Sequence, residues 1–365
     1  MRDFSVVPPG TRPVNDRPSA PVDQSSGPRV DVLSDVLRAV RLNGAVFFDV
    51  HASAPWVAES PLSASVAEGL MPGSQHVISF HVLTSGRCHA WQVGQEPLAL
   101  SAGDLVIFPQ GHAHCLASEP GLRAPADLAL FRRDAHPRLP VRISQGQGGD
   151  PKAHLICGFL GCDSRPFNPL LETLPPVMLL RGDSGTGGNW LGSFVQTALA
   201  ECSSPTPGGE TVLARLSELL FIEAVRRHVA ALSAETTGWL ASLRDPAVGN
   251  ALGLLHAQPA APWTIELLAD RSGLSRSVMA QRFAELVGVP PMQYLARWRM
   301  QLAANLLATG TTKIATIARE VGYEAEAAFS RAFKKLTGKS PSQWRTSPGN
   351  ADLAINASKA KPGRR

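Results

Sequence analysis

The sequence predicts an α+β multidomain protein. An N-terminal antiparallel β-barrel or sandwich with helices precedes a C-terminal all-α domain carrying two helix-turn-helix motifs. Three observations predict it. From Val30 to about Ile156 the chain breaks into short β-branched or aromatic runs punctuated by Gly, Pro and Ser. Residues 190–232 carry longer apolar patterns at helical spacing. The last hundred residues contain an internal repeat of helix, glycine turn and second helix. At 365 residues with 44% hydrophobic content, the chain is long enough for two or three domains and holds no apolar run that implies a membrane span.

Residues 1–28 are Pro- and Ser-rich, lack the apolar core of a signal peptide, and predict a flexible lead-in to a cytoplasmic protein. Five cysteines are an odd number and too few for a disulfide scaffold, which fits a reducing compartment. Residues 29–185 form the β-rich domain, with "AVFFDV", "HVISFHVL", "CHAWQV", "PLALSAG" and "DLVIFPQG" as its strands. In "GDLVIFPQGHAH" a turn at Gly103 precedes a buried strand, and Pro109 to Gly111 turns the chain so that His114 points into a barrel mouth. Soft ligands are plentiful here: His81, His112, His114, Cys115, and Cys157 with Cys162 in "CGFLGC". Zinc takes nitrogen and sulfur donors in fours, so His81, His112, His114, Cys157 and Cys162 are candidate effector or metal residues. The competing reading is of satisfied barrel histidines and small buried thiols.

Residues 186–245 read as a helical linker, with "WLGSFVQTALAEC", a Pro/Gly-rich break and "ETVLARLSELLFIEAVRRHVAAL". In the last, Leu213, Leu216 and Leu220 form one apolar line, and Ile222, Val225, Val229 and Leu232 another, so the helix packs twice. Its second partner is either its own chain or another subunit.

Residues 246–346 hold the repeat, with helix-turn-helix units at 264–286 and 313–336. Ile265, Ala269 and Gly273 match Ile314, Ala318 and Gly322, whereas Phe283, Leu286, Gly288 and Pro291 match Phe333, Leu336, Gly338 and Pro341 one residue later. One residue is therefore inserted after the second glycine. Gly273 and Gly322 end the first helix of each unit, and Ser275 caps the next helix of the first. Between the units, "PPMQYLARWRMQLAANLLATG" predicts a connecting helix of about 17 residues, roughly 25 Å long. In the second unit Ala328, Phe329, Ala332, Phe333 and Leu336 mark a buried face. Phe283, Phe333, Trp298 and Trp344 belong to the core. The exposed candidates for base edges are Arg276, Ser277, Ala280 and Gln281, then Glu326, Ala327, Ser330 and Arg331; Arg282, Lys334 and Lys335 are candidate phosphate contacts. Charge agrees: residues 261–345 carry 12 Lys and Arg against 6 Asp and Glu, whereas 19 basic and 23 acidic residues precede position 261. Residues 347–365 read as a flexible basic tail. Basic character concentrated at the C-terminal end suits double-stranded DNA as the partner.

Residues 258 to 346 resemble the DNA-binding domain of the AraC/XylS family of bacterial transcription regulators. The resemblance is carried by Ile317-Ala318, Val321-Gly322-Tyr323, "FSRAFKK" and "GKSPSQWR". One departure is Ala325, where the family usually has a small hydroxyl residue. Gly103, Pro109, Gly111 and His114 resemble the second conserved cupin motif, and the segment order resembles the cupin-type sensor domain of one AraC subgroup. The resemblance implies a sequence-specific regulator that dimerises, binds a small-molecule effector in the barrel and meets RNA polymerase at a promoter on the nucleoid. Two recognition helices would then read successive major grooves. A metal-dependent cupin enzyme fused to a nucleic-acid module is the rival reading. The first cupin motif is absent, however: His81 has no His-x-His partner, and Ser85 stands where a glutamate is expected. The expectation is a non-enzyme.

Overall fold

In the computed structural model, residues 30–136, 138–148, 152–182, 190–204, 206–233 and 235–347 are described. The expected lead-in and most of the basic tail lie outside these residues. Asp31 caps α1 (Val32–Ala39), and the strands β1 (Asn43–Ala52) and β2 (Val57–Ser60) follow. Helix α2 (Ser63–Leu70) leads to β3 (His76–Ser85), β4 (Arg87–Gln92), β5 (Leu98–Ser101), β6 (Leu105–Phe108) and β7 (His114–Ala117). Strands β8 (Val141–Gln145) and β9 (Ala153–Cys162), helix α3 (Pro169–Thr173) and β10 (Met178–Leu180) close the domain.

Six strands form one sheet in the order β10-β6-β3-β9-β1-β8, and four form a second in the order β2-β7-β4-β5. Alternation along each strand decides which side chains enter the core between the sheets. Phe48 and Val50 of β1, Val77 and Leu83 of β3, and Leu155 and Phe159 of β9 meet Cys88 and Ala90 of β4, Leu100 of β5 and Leu116 of β7. The alternate residues Ile78, Phe80, Val82, Ile156 and Leu160 turn to the other face and pack against helices.

Those helices are α4 (Trp190–Ser203) and the 23-residue α5 (Gly209–Ala231). The double apolar line expected on α5 resolves mostly into one buried side. Leu213, Leu220, Phe221, Ala224 and Val225 are buried in the chain's own core, whereas Leu219 is 54% exposed and Val212 42%.

Helices α6 (Trp239–Ser242) and α7 (Pro246–Ala257) lead into the repeat. The first unit is α8 (Ile265–Arg271) and α9 (Arg276–Val287), and the connecting helix is α10 (Pro291–Thr309). The second unit is α11 (Ile314–Glu320) and α12 (Glu326–Thr337), followed by α13 (Pro341–Arg345). The core of the first unit, with Leu268, Met279, Phe283, Tyr294 and Trp298, is continuous with the helices and outer sheet face of the N-terminal part. The second unit has a separate core of Met300, Leu307, Ile317, Phe329, Phe333 and Trp344. Leu336 was expected on the buried face of α12 and is instead 40% exposed. It sits in the last turn of α12, whereas Phe329 and Phe333 are buried in the core of the second unit.

Candidate nucleic-acid interface

The two units turn in the same way. Gly273 and Gly322 have φ of 68° and 83°, the left-handed region that costs glycine nothing. Gly273 N–H donates to Asp270 O and Leu274 N–H to Ala269 O; Gly322 N–H donates to Arg319 O and Tyr323 N–H to Ala318 O. Both are the paired bonds that satisfy the last carbonyls of a helix. The inserted residue lies within the second turn, since one residue, Leu274, separates Gly273 from the cap Ser275, and two, Tyr323 and Glu324, separate Gly322 from the cap Ala325. Ser275 Oγ accepts from Val278 N–H at 3.4 Å, a long capping bond, whereas Ala325 offers no side-chain cap. Glu326 in the first turn of α12 and Lys334 and Lys335 in its last turn complement the helix dipole in place of that cap.

Helix α9 buries Met279 and Phe283 and exposes Arg276, Ser277, Gln281 and Arg282, with Ala280 partly covered. Helix α12 buries Phe329 and Phe333 and exposes Glu326, Ala327, Arg331, Lys334 and Lys335, with Ser330 partly covered. The expected recognition residues therefore lie on the solvent faces. Some of them already have partners. Arg276 pairs with Glu266 at 3.0 Å, and Gln281 donates to Glu285 at 2.8 Å. Arg282 pairs through two nitrogens with Asp245, the cap of α7, at 2.5 and 3.0 Å. Arg331, Lys334 and Lys335 make no ion pair among the described residues. Sequence reasoning passed over Val278, which is 46% exposed beside Arg276 and Ser277. A β-branched apolar residue outside the buried spacing of a helix start was its only signal, and such a side chain suits a thymine methyl group.

Helix α10 connects the units. At 19 residues it spans about 28 Å. Its Arg299 reaches both sides: Nε and Nη2 donate to Pro259 O and Ala261 O ahead of the first unit at 2.7 and 2.8 Å, and Nη1 donates to Gly322 O in the second turn at 3.3 Å. The other face of α10 meets the N-terminal part. Buried Gln301 accepts from Phe167 N–H at 3.0 Å and donates to Ala39 O at 3.1 Å; Asn305 donates to the same carbonyl at 2.7 Å.

In the barrel the five candidate ligands do not form one site. Cys157 and Cys162 are five residues apart on β9, an odd number, so they point to opposite faces. Cys157 lies in the core between the sheets, and Cys162 packs toward the helices. Burial pushes both thiols far up, so they stay protonated. All five cysteines are free and buried. His112 contributes its carbonyl rather than its ring to the pair His81 and His114, whose Nε2 atoms are 2.8 Å apart.

The tautomers of that pair follow from its partners. His114 Nδ1 lies 2.8 Å from His112 O, which only accepts, so Nδ1 holds the proton. His81 Nε2–H then donates a hydrogen bond to the lone pair of His114 Nε2. His81 Nδ1 is left as a buried acceptor without a partner among the described residues. Burial pushes His114 down to about 4, and burial with the neighbouring His114 holds His81 well below the ordinary range. A neutral folded His114 means that the unfolded chain binds the extra proton between pH 6.5 and 4, so stability falls as pH falls through that window. The expected loss for His114 is about 3 kcal/mol at about 1.4 kcal/mol per pKa unit. Denaturant titrations of the full chain at several pH values should show it, with a shallower slope in His114→Gln. Buried His256, pushed down to about 3 by burial, and His81 leave a residual slope that begins at the same upper edge of the window and, for His256, runs on to about pH 3.

Comparisons with known proteins find a cupin domain ahead of a helix-turn-helix domain. Residues 31–230 match the cupin family model, and residues 268–347 match that of the helix-turn-helix domain. A protein of Streptomyces lividans described as an AraC-like transcription regulator is 34% identical over 295 residues, 79% of this chain and 94% of that one. Its counterpart in Streptomyces antibioticus is 34% identical over 298 residues, 79% and 95%. The HTH-type transcriptional regulator AlkR of Acinetobacter baylyi is 31% identical over 320 residues, 87% and 99%. With an outward recognition face on each of two matched units and a cupin domain ahead of them, the chain belongs to the family of AraC-like transcriptional regulators.

Proposed function

We propose that this DNA-binding regulator places α9 and α12 in successive major grooves and that its cupin domain sets DNA affinity in response to a small effector. The observation that carries the reading is the pair of matched turns, each followed by an outward-facing second helix and joined by α10, whose length of about 28 Å is of the order of the ~34 Å of one DNA turn. Arg276, Ser277, Val278, Ala280 and Gln281 would meet base edges in one groove, and Glu326, Ala327, Ser330 and Arg331 in the next. Lys334 and Lys335 would neutralise phosphates. Arg282 would do so only by sharing its charge with Asp245. The effector would carry a hydrogen-bond donor for the bare His81 Nδ1, and its binding would reach the reader through the contacts of Gln301 and Asn305. Regulation of this kind is a coupling free energy between two sites.

The reading extends to a 29–185 sensor, a 186–245 linker and a 246–346 reader, in a cytoplasmic protein that works on the nucleoid as a homodimer and touches RNA polymerase. Absence of a His-x-His pair beside His81 supports a sensor rather than an enzyme. No helix among the described residues is long and apolar enough to cross a membrane. Arg276→Ala and Arg331→Ala test the reader. Each should weaken operator binding by about 1–3 kcal/mol and relax sequence preference in one half of the site only. Log affinity should fall with log salt at about −0.9 per phosphate contact, and a flat response would overturn the reading.

A further inference from the structure

A cluster that the DNA-binding function does not use lies on β1 and β9, on the face turned away from the core between the sheets. Phe48, Val50 and Ala52 enter that core, so Asp49 and His51 face the other way. The register places His154 directly opposite His51, with Ala153 and Leu155 inward on either side of it. Asp49 Oδ1 lies 2.6 Å from His154 Nε2 and 3.2 Å from His51 Nε2. The two imidazoles stack, with centroids 4.2 Å apart and planes at 16°. Two ring nitrogens and one carboxylate oxygen thus lie within 4.8 Å of one another, the single such trio among the described residues.

Two further observations point to a ligand. His51 Nε2 is buried and has no hydrogen-bond partner, because its approach to Asp49 has the distance but not the direction of a bond. Asp49 is 2% exposed, and burial alone would raise its pKa. The hydrogen bonds from His154 and Arg142 outweigh burial and hold it at about 2, so it stays anionic. Arg142 takes Oδ2 at 3.1 Å and leaves Oδ1 to the histidines. Its side chain is 62% exposed, so water screens its repulsion of a cation.

We propose that Asp49, His51 and His154 bind one divalent transition-metal ion, with zinc the member that their donor chemistry suits. Imidazole nitrogen with carboxylate oxygen is a borderline donor set, which takes zinc and its neighbours rather than magnesium or calcium. Metal–ligand distances of about 2.0–2.2 Å require the His154 ring and the carboxylate to separate slightly, which removes their direct hydrogen bond. The ion would then hold β1 to β9 through side chains as well as through the sheet. Buried Cys202 of α4 stands over this face. Its pKa is pushed up to about 12 by burial and then by the Asp49 charge, so its thiol is neutral in the absence of an ion.

The test uses the full chain, stripped with a chelator and titrated with zinc alone in competition with a chromophoric chelator. The expected result is one zinc per chain retained through gel filtration, with a rise in melting temperature. His51→Ala, at a partly exposed position, and His154→Gln should each weaken binding by about tenfold or more and abolish that rise. Circular dichroism checks that both variants remain folded. Failure of the wild-type chain to retain zinc would overturn the proposal, as would equal retention by the folded double variant.

Discussion

Replacing Phe333 by alanine is expected to destabilise the second helix-turn-helix unit by about 3–5 kcal/mol, the usual range for emptying a buried aromatic site. The ring is fully buried and packs against Phe329 at 5.6 Å and edge-on to Trp344 at 5.7 Å. Its core is separate from the one shared by the first unit and the N-terminal part. The damage should therefore stay local. Thermal unfolding of Phe333→Ala should show an early transition absent from the wild type, and DNA protection should disappear from one half of the operator while the other half remains. A single, uniformly shifted transition would mean that the two units unfold as one.

The second large effect is expected at Gln301. It is 0% exposed and joins three segments that are far apart in sequence. Gln301→Met keeps the volume but leaves the buried Phe167 N–H without an acceptor. Adding Asn305→Ala removes the remaining donor to Ala39 O as well. Each orphaned group costs about 1–3 kcal/mol, so the double variant should loosen the docking of α10 on the N-terminal part by about 2–6 kcal/mol. Hydrogen exchange should report lost protection at Phe167 and along α1, while the Phe329, Phe333 and Trp344 core stays protected. Unchanged exchange would show that apolar packing alone holds the parts together.

Much of the fold was legible because it rests on period and punctuation. The short apolar run "HVISFHVL", the repeated Ala–Gly spacing of the two units and the one-residue insertion all correspond to observed elements, since each reflects a local backbone requirement. The barrel ligands were not legible for a related reason. Cys157 and Cys162 are neighbours in sequence, but a five-residue step on a strand reverses the side chain, so proximity in sequence separated them in space. Asp49 and His51 stand two apart on one strand, the spacing that puts side chains on one face. Their third member, His154, is 103 residues beyond His51 and joins them only through the β1–β9 register. Arg282 shows the same limit. Its exposed helical position reads as a phosphate contact, and nothing local reveals that Asp245 reaches it. Leu336 continues the apolar spacing of α12 into a last turn that leaves it 40% exposed.

The central claim is that one chain reads two successive major grooves. Hydroxyl-radical footprinting of the full chain on a selected operator tests it most directly, repeated with Arg276→Ala and Arg331→Ala. The account predicts two protected segments centred about ten base pairs apart on one face of the duplex, with each substitution erasing a different one. One protected segment, or two that weaken together under either substitution, would contradict it.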